Sequence, residues 1–155
     1  MPQLAPGGIA PDFTLPTADG GQITLSDLRG HTVVIFFFPA AMTPGCTLEA
    51  CDFEDFQRSL ADDGYRVIGI SPDPPERLAE FAAAERLTYP LASDVDRGVL
   101  GAYGAYGEKM LYGKAVTGVI RSTVVVDPQG RVAVASYNVR ATGHVARLRQ
   151  QLGVA

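Results

Sequence analysis

Tryptophan is absent from this chain, and cysteine and histidine occur only twice each among its 155 residues. A structural zinc site needs about four ligands. His31 and His144 lie far apart in sequence, and neither stands at ligand spacing from the cysteines, so a metal site is disfavoured. Basic runs are also missing. Thirteen Lys and Arg stand against seventeen Asp and Glu, the net charge is -4 and the pI is about 5.1. With no basic stripe, nucleic acid is excluded as a partner. Long apolar runs are missing too. The longest, Val33 to Phe38, stops at Pro39 and is far too short to span a bilayer. The opening "MPQLAPGGIAPDF" has neither a basic nor an apolar signal region. The expectation is a cytoplasmic protein without membrane partners. In a reducing cytosol, two close cysteines point to catalysis or metal binding rather than to a permanent staple.

What is present is an ordinary globular composition, 46% hydrophobic and 19% charged. The length suits one domain, residues 1–155, with a sizeable core. No repeat, linker or low-complexity segment interrupts it. The Gly-rich "GAYGAYGEKMLYGK" lacks phosphate-loop spacing, which excludes nucleotide binding. Residues 1–13 read as an extended lead-in. "ADGGQITLSDLRG" reads as a hairpin turn, a short strand and a helical turn capped by Ser26. "HTVVIFFF" and "YRVIGIS" are β-branched, aromatic runs of the buried-strand type. Between them the spacing predicts a helix from about Pro44 to Asp62. "DPPERLAEFAAAERL" reads as a helix with Asp73 as N-cap and Leu78 and Phe81 on one face. "GVIRSTVVVDPQGRVAVASYN" reads as a hairpin turning at Asp127–Gly130. "TGHVARLRQQL" closes the chain with Val145, Leu148 and Leu152 at helical spacing. Strands and helices alternate first and a hairpin comes late, which predicts a three-layer α/β domain with a mixed sheet.

Both cysteines fall in "FFFPAAMTPGCTLEAC". Thr43 precedes a proline, which disfavours helical angles and suits an N-cap. Pro44 then takes the first helical position, where its missing N–H costs nothing. Cys46 lies in the first turn, among unpaired N–H groups at the positive end of the helix dipole. Both features favour the thiolate, the reactive form. At ~100° per residue, Cys46, Ala50, Phe53, Phe56 and Leu60 share the sheet-facing side. Cys51 points about 140° away, towards Thr47, Glu54, Asp55 and Arg58. Helix rise and radius put the two Cα atoms roughly 8.6 Å apart, beyond the disulfide limit of about 7 Å. The pair can join only if the first turns unwind. Two buried core cysteines remain an alternative. A thioredoxin-type dithiol would want Cys-x-x-Cys, and this is Cys-x-x-x-x-Cys.

These residues resemble a known family. "PAAMTPGC" has the form Pro-x-x-x-Thr-x-x-Cys, the active-site signature of peroxiredoxins, and a second cysteine five positions on resembles the PrxQ, or bacterioferritin comigratory protein, branch. The likeness extends through "PDFTLPTADGGQITLSDLRG", "TPGCTLEACDFEDF", "GISPD", "YPLASD", "YGKAVTGVIRSTVVVD" and "GRV". It implies a thioredoxin-like α/β fold, a central mixed β-sheet flanked by helices, with an N-terminal β-hairpin extension. It implies a thiol peroxidase for hydrogen peroxide and alkyl hydroperoxides. Cys46 would be peroxidatic and Cys51 resolving, through an intramolecular disulfide recycled by a thioredoxin-like dithiol. Thr43 and Arg121 would polarise the peroxide, and Pro39 would shield the pocket. No metal, haem or flavin is required. Ala40 and Ala41 depart from the Lys-Asp often found there, and Leu78 stands where His is common.

Arg121 precedes the apolar "STVVVD", where a charge needs a task. Glu49 falls on the helical wheel beside Phe53 and Phe56, so we expect it to pair with Arg121 and orient it. Phe37, Tyr103, Tyr106, Met110 and Tyr112 are candidates for a peroxide mouth, with ordinary core or rim as the simpler reading. A thiol-disulfide oxidoreductase, or a redox-sensing module whose helix unwinds on oxidation, competes with the peroxidase, but neither needs Thr43 and Arg121 near Cys46. Lacking a long C-terminal arm, the chain is expected to be a monomer.

Overall fold

The computed structural model describes residues 3–154, so Met1, Pro2 and Ala155 of the expected domain lie outside the described residues. The chain begins with a hairpin of β1 (Thr14–Pro16) and β2 (Gln22–Thr24), followed by a 3-10 turn at Leu25–Leu28. Ser26 lies inside that turn rather than capping it. Thr24 precedes the turn, and the Ser26 N–H donates to Asp12 Oδ1.

The central sheet has the order β5-β4-β3-β8-β9. Its strands are β3 (Thr32–Phe37), β4 (Tyr65–Ser71), β5 (Leu91–Ser93), β8 (Ser122–Val126) and β9 (Val132–Ser136). β4 runs parallel to β3 and to β5, whereas β8 is antiparallel to β3 and β9. The sheet is therefore mixed, as the element order predicts. β3 sits in the middle, which explains its unbroken apolar run: both of its faces are covered.

Successive side chains of a strand face opposite sides, and two clusters follow that alternation. Val34, Phe36 and Phe38 join α1 (Pro44–Leu60), α2 (Pro75–Glu85) and α4 (His144–Leu152) through Phe53, Phe56, Leu78, Phe81, Val145 and Leu148. Val33, Ile35 and Phe37 face the other way, onto the N-terminal hairpin, α3 (Gly98–Ala102) and Tyr103. Phe36 stacks on Phe53 of α1 at 4.4 Å, a pair worth about 0.5–1.5 kcal/mol beyond its buried area. A Cβ at Gly69 on β4 would sit 2.9 Å from Phe36 Cζ and 2.8 Å from Leu91 Cδ2. Only glycine lets that ring lie flat under α1.

The Gly-rich segment forms a further hairpin, β6 (Tyr106–Leu111) with β7 (Lys114–Val119). Its turn residues Tyr112 and Gly113 both have positive φ, as a two-residue hairpin turn matched to strand twist requires. Tyr stands where Asn or Asp usually signals such a turn, so the sequence does not announce it.

Candidate active site

β3 ends against Pro39, and the chain then turns through Ala40–Thr43 into α1. Two tethers fix this turn. The Ala41 N–H donates to Asp73 Oδ2 at 2.8 Å, and the Ser71 hydroxyl donates to the same oxygen at 2.8 Å. Asp73 is thus a brace between the end of β4 and the start of α1. It does not cap α2, whose N-cap position is Pro74. Met42, in the same turn, has φ 68, a left-handed conformation that costs an L-residue roughly 1–2 kcal/mol.

Thr43 has the extended backbone of an N-cap, φ -88 and ψ 153, and Pro44 opens α1. Its hydroxyl, however, does not cap. It donates to Ala40 O at 2.9 Å, leaving the first-turn N–H groups without a side-chain acceptor. Cys46, in that turn, is buried at 1% exposure.

Arg121 reaches this turn from the link between β7 and β8. One guanidinium nitrogen, Nη2, donates to Cys46 Sγ at 3.3 Å, and the other, Nη1, donates to Glu49 Oε1 at 2.7 Å. Glu49 lies one turn along α1 and is fully buried. Its Oε2 has no hydrogen-bond partner among the described residues. Burial outweighs the Arg121 pair and lifts the Glu49 carboxyl to about 7. One guanidinium therefore serves two buried acidic groups, a thiol and a carboxyl, while remaining itself partly exposed. Beside it, the buried His144 ring nitrogen Nε2 lies 2.7 Å from Thr123 Oγ1. Burial, then Arg147 and Arg121, depress His144 to about 4, so it stays neutral.

The structure thus joins Cys46, Arg121 and Glu49 in direct contact, with Thr43 exposed at the helix entrance. Pro39 is half-buried and lines a cavity of about 370 Å³ with Pro72, Arg97, Tyr106, Lys109 and Val119. Cys51 is a free thiol on the same continuous helix as the free Cys46. The helical wheel correctly sends Cys51 to the opposite side but misplaces Glu54, which is buried. Glu54 accepts from Arg58 Nε, the Thr88 N–H and the Thr88 hydroxyl, at 2.6–2.8 Å. Phe37 and Tyr103 are core, while Met110 and Tyr112 are exposed on the β6–β7 hairpin. Among the described residues, no group of three or more His, Cys, Asp or Glu is placed to hold a metal, and no helix is long and apolar enough to cross a membrane.

Comparison with known proteins bears directly on this arrangement. Residues 6–135 match the model of the AhpC/TSA family. A putative peroxiredoxin of Mycobacterium tuberculosis is 59% identical over 152 residues, covering 98% of this chain and 97% of the relative. The chain is a peroxiredoxin of the AhpC/TSA family. Peroxiredoxin Bcp of Escherichia coli is 43% identical over 132 residues, 85% of each chain. A solved structure of Xanthomonas campestris bacterioferritin comigratory protein, studied for its alkyl peroxide reduction activity, superposes with a TM-score of 0.84. It is 34% identical and covers 91% of this chain and 90% of its own. This peroxiredoxin has the thioredoxin-like fold and is a thiol-dependent peroxidase of the atypical two-cysteine type. It reduces a peroxide and is returned to its working state by a thiol.

Proposed function

We propose that Cys46 is the peroxidatic cysteine of a single-domain, monomeric cytoplasmic enzyme that reduces hydrogen peroxide and alkyl hydroperoxides. The observation that carries this is the Arg121 guanidinium donating to Cys46 Sγ at 3.3 Å. A cation hydrogen-bonded to sulfur favours the thiolate over the thiol. The thiolate attacks the terminal oxygen of the peroxide. An S–O bond forms, the O–O bond breaks, and the leaving oxygen takes up a proton as water or alcohol. Cys46 becomes a sulfenic acid.

Negative charge grows on the leaving oxygen, and the Arg121 guanidinium, already in place beside the sulfur, stabilises it without reorganising. Thr43 adds a second donor once its hydroxyl turns from Ala40 O towards substrate. Glu49 holds Arg121 from the far side, and Pro39 screens the turn from solvent. Cys51 then attacks the sulfenic sulfur. The S–S bond forms, the S–O bond breaks and water leaves. Both thiols lie on one helix, so the first turns of α1 must unwind for this step. A thioredoxin-like dithiol reduces the exposed disulfide.

A thiol-disulfide oxidoreductase or a redox sensor would use the same cysteines but has no need of a guanidinium on the Cys46 sulfur. Peroxide consumption coupled to thioredoxin, thioredoxin reductase and NADPH tests the reading. Steady turnover at catalytic enzyme concentration is expected. Stoichiometric oxidation without turnover would favour the sensor, and disulfide exchange without peroxide consumption would favour the oxidoreductase.

A further inference from the structure

Cys51 is held by a contact that takes no part in the peroxide site. Its thiol donates to Glu85 Oε1 at 3.5 Å, between residues 34 positions apart. Glu85 is the last residue of α2, so the contact ties α1 to α2. None of the ion pairs Arg58–Glu54, Arg77–Asp73 and Arg121–Glu49 includes Glu85. The other titratable groups facing Cys51 are Asp52 and Asp55 on its own helix and the Tyr89 phenol from the segment before β5. Burial pushes the Cys51 thiol up, and so do the hydrogen bond and charge of Glu85 and the charges of Asp52 and Asp55.

Only a thiolate attacks a sulfenic acid or an alkylating agent efficiently. The folded helix therefore surrounds its resolving cysteine with groups that oppose the reactive form. We propose that Glu85 holds Cys51 as an unreactive, protonated thiol while α1 is folded, and that Cys51 becomes a nucleophile only once unwinding has carried its sulfur away from this carboxylate. The proposal rests on Cys51 being the resolving cysteine. It gives the cycle an order. Cys46, beside Arg121, is oxidised first. Cys51, beside Glu85, is spared mixed disulfides and oxidation until its partner is a sulfenic acid. Once freed, Cys51 gives its S–H proton to solvent and its sulfur attacks Cys46. The hydroxyl expelled from the sulfenic acid leaves as water, with no further oxidant or reductant.

The test follows the pH dependence of Cys51 alkylation by iodoacetamide in the otherwise intact Cys46→Ser chain. Glu85 is kept, or replaced as Glu85→Asp, Glu85→Gln or Glu85→Lys. The alkylation midpoint should fall with charge in the order Glu, Gln, Lys. Near neutral pH the rate should rise about threefold for Gln and about tenfold for Lys, the size expected for a unit charge at this separation in salt and high dielectric. Asp should stay close to the parent, because it keeps the charge. Superimposable profiles for all four, or acceleration by Asp equal to that by Gln, overturn the proposal, since a merely structural contact responds to size and not to charge. In parallel, the unsubstituted chain is treated with one equivalent of peroxide and read by mass. A missing Cys46–Cys51 bond overturns both the resolving role and the proposal. A bond that forms while the alkylation profiles stay flat overturns the Glu85 proposal alone.

Discussion

The buried Cys46 Sγ receives a guanidinium N–H at 3.3 Å, whereas Cys51, half-buried about one and a half turns along the same helix, gives its S–H to a carboxylate at 3.5 Å. One sulfur accepts from a cation and the other donates to an anion. The helix backbone does not create that contrast alone. Its dipole favours the thiolate at the first turn, but the partners come from other elements, Arg121 from the β7–β8 link and Glu85 from α2. Two identical side chains on one element are thereby given partners of opposite charge.

Exchanging each sulfur for oxygen separates the two regions most sharply. Cys46→Ser should reduce peroxidase turnover to background. Cys51→Ser should permit one fast oxidation of Cys46 and then stall. Equal turnover by both variants in the coupled assay would dissolve the distinction. Next in size is Arg121→Lys. A point charge cannot offer two parallel N–H bonds to Cys46 and Glu49 at once, so stopped-flow oxidation of Cys46 should slow about 100-fold, the size of losing an oxyanion donor. An unchanged rate would make Arg121 structural.

The third test asks whether both regions belong to one unit that opens. Oxidation should accelerate amide exchange across Gly45–Phe53 by about tenfold or more, because locally opened backbone loses its protection. Equal protection in the two redox states, with the disulfide established by mass, would sink the unwinding step.

The last test concerns Glu49 and the pH dependence of stability. Its carboxyl is raised from 4.5 to about 7 by burial, against the pull of Arg121. A raised acid binds more protons folded than unfolded between those values, so stability falls as pH rises. The contribution is fully present below about 4.5 and lost through about 7. Glu49→Gln removes the titration. Urea unfolding should show the parent losing roughly 2 kcal/mol relative to the variant between mildly acidic and mildly alkaline pH. A constant difference would mean that Glu49 stays ionised throughout.

Much of this was legible along the chain. Local spacing gives the Thr43-Pro44 entry to α1, the buried Ala50, Phe53, Phe56 and Leu60, and the opposed directions of the two cysteines. A helix repeats every 3.6 residues whatever lies beside it. The doubly covered β3 is equally plain in "VVIFFF". The likeness to peroxiredoxins pointed to Arg121, and an apolar neighbourhood pointed to Glu49 as its partner. Polar partnership across long separations was not legible. Asp73 has the look of a helix cap, yet it braces Ala41, because the packing of β4 beside β3 brings that N–H closer than the α2 backbone. Glu54 has the spacing of a solvated face, yet Thr88 and Arg58 satisfy it in the interior. Glu85 looks like any acidic residue near a helix end, and only the approach of α2 to α1 puts it on the Cys51 sulfur. Periodicity is a property of consecutive residues and can be read from them. A carboxylate takes whichever donor the assembled layers bring within about 3 Å, and that choice belongs to the tertiary structure.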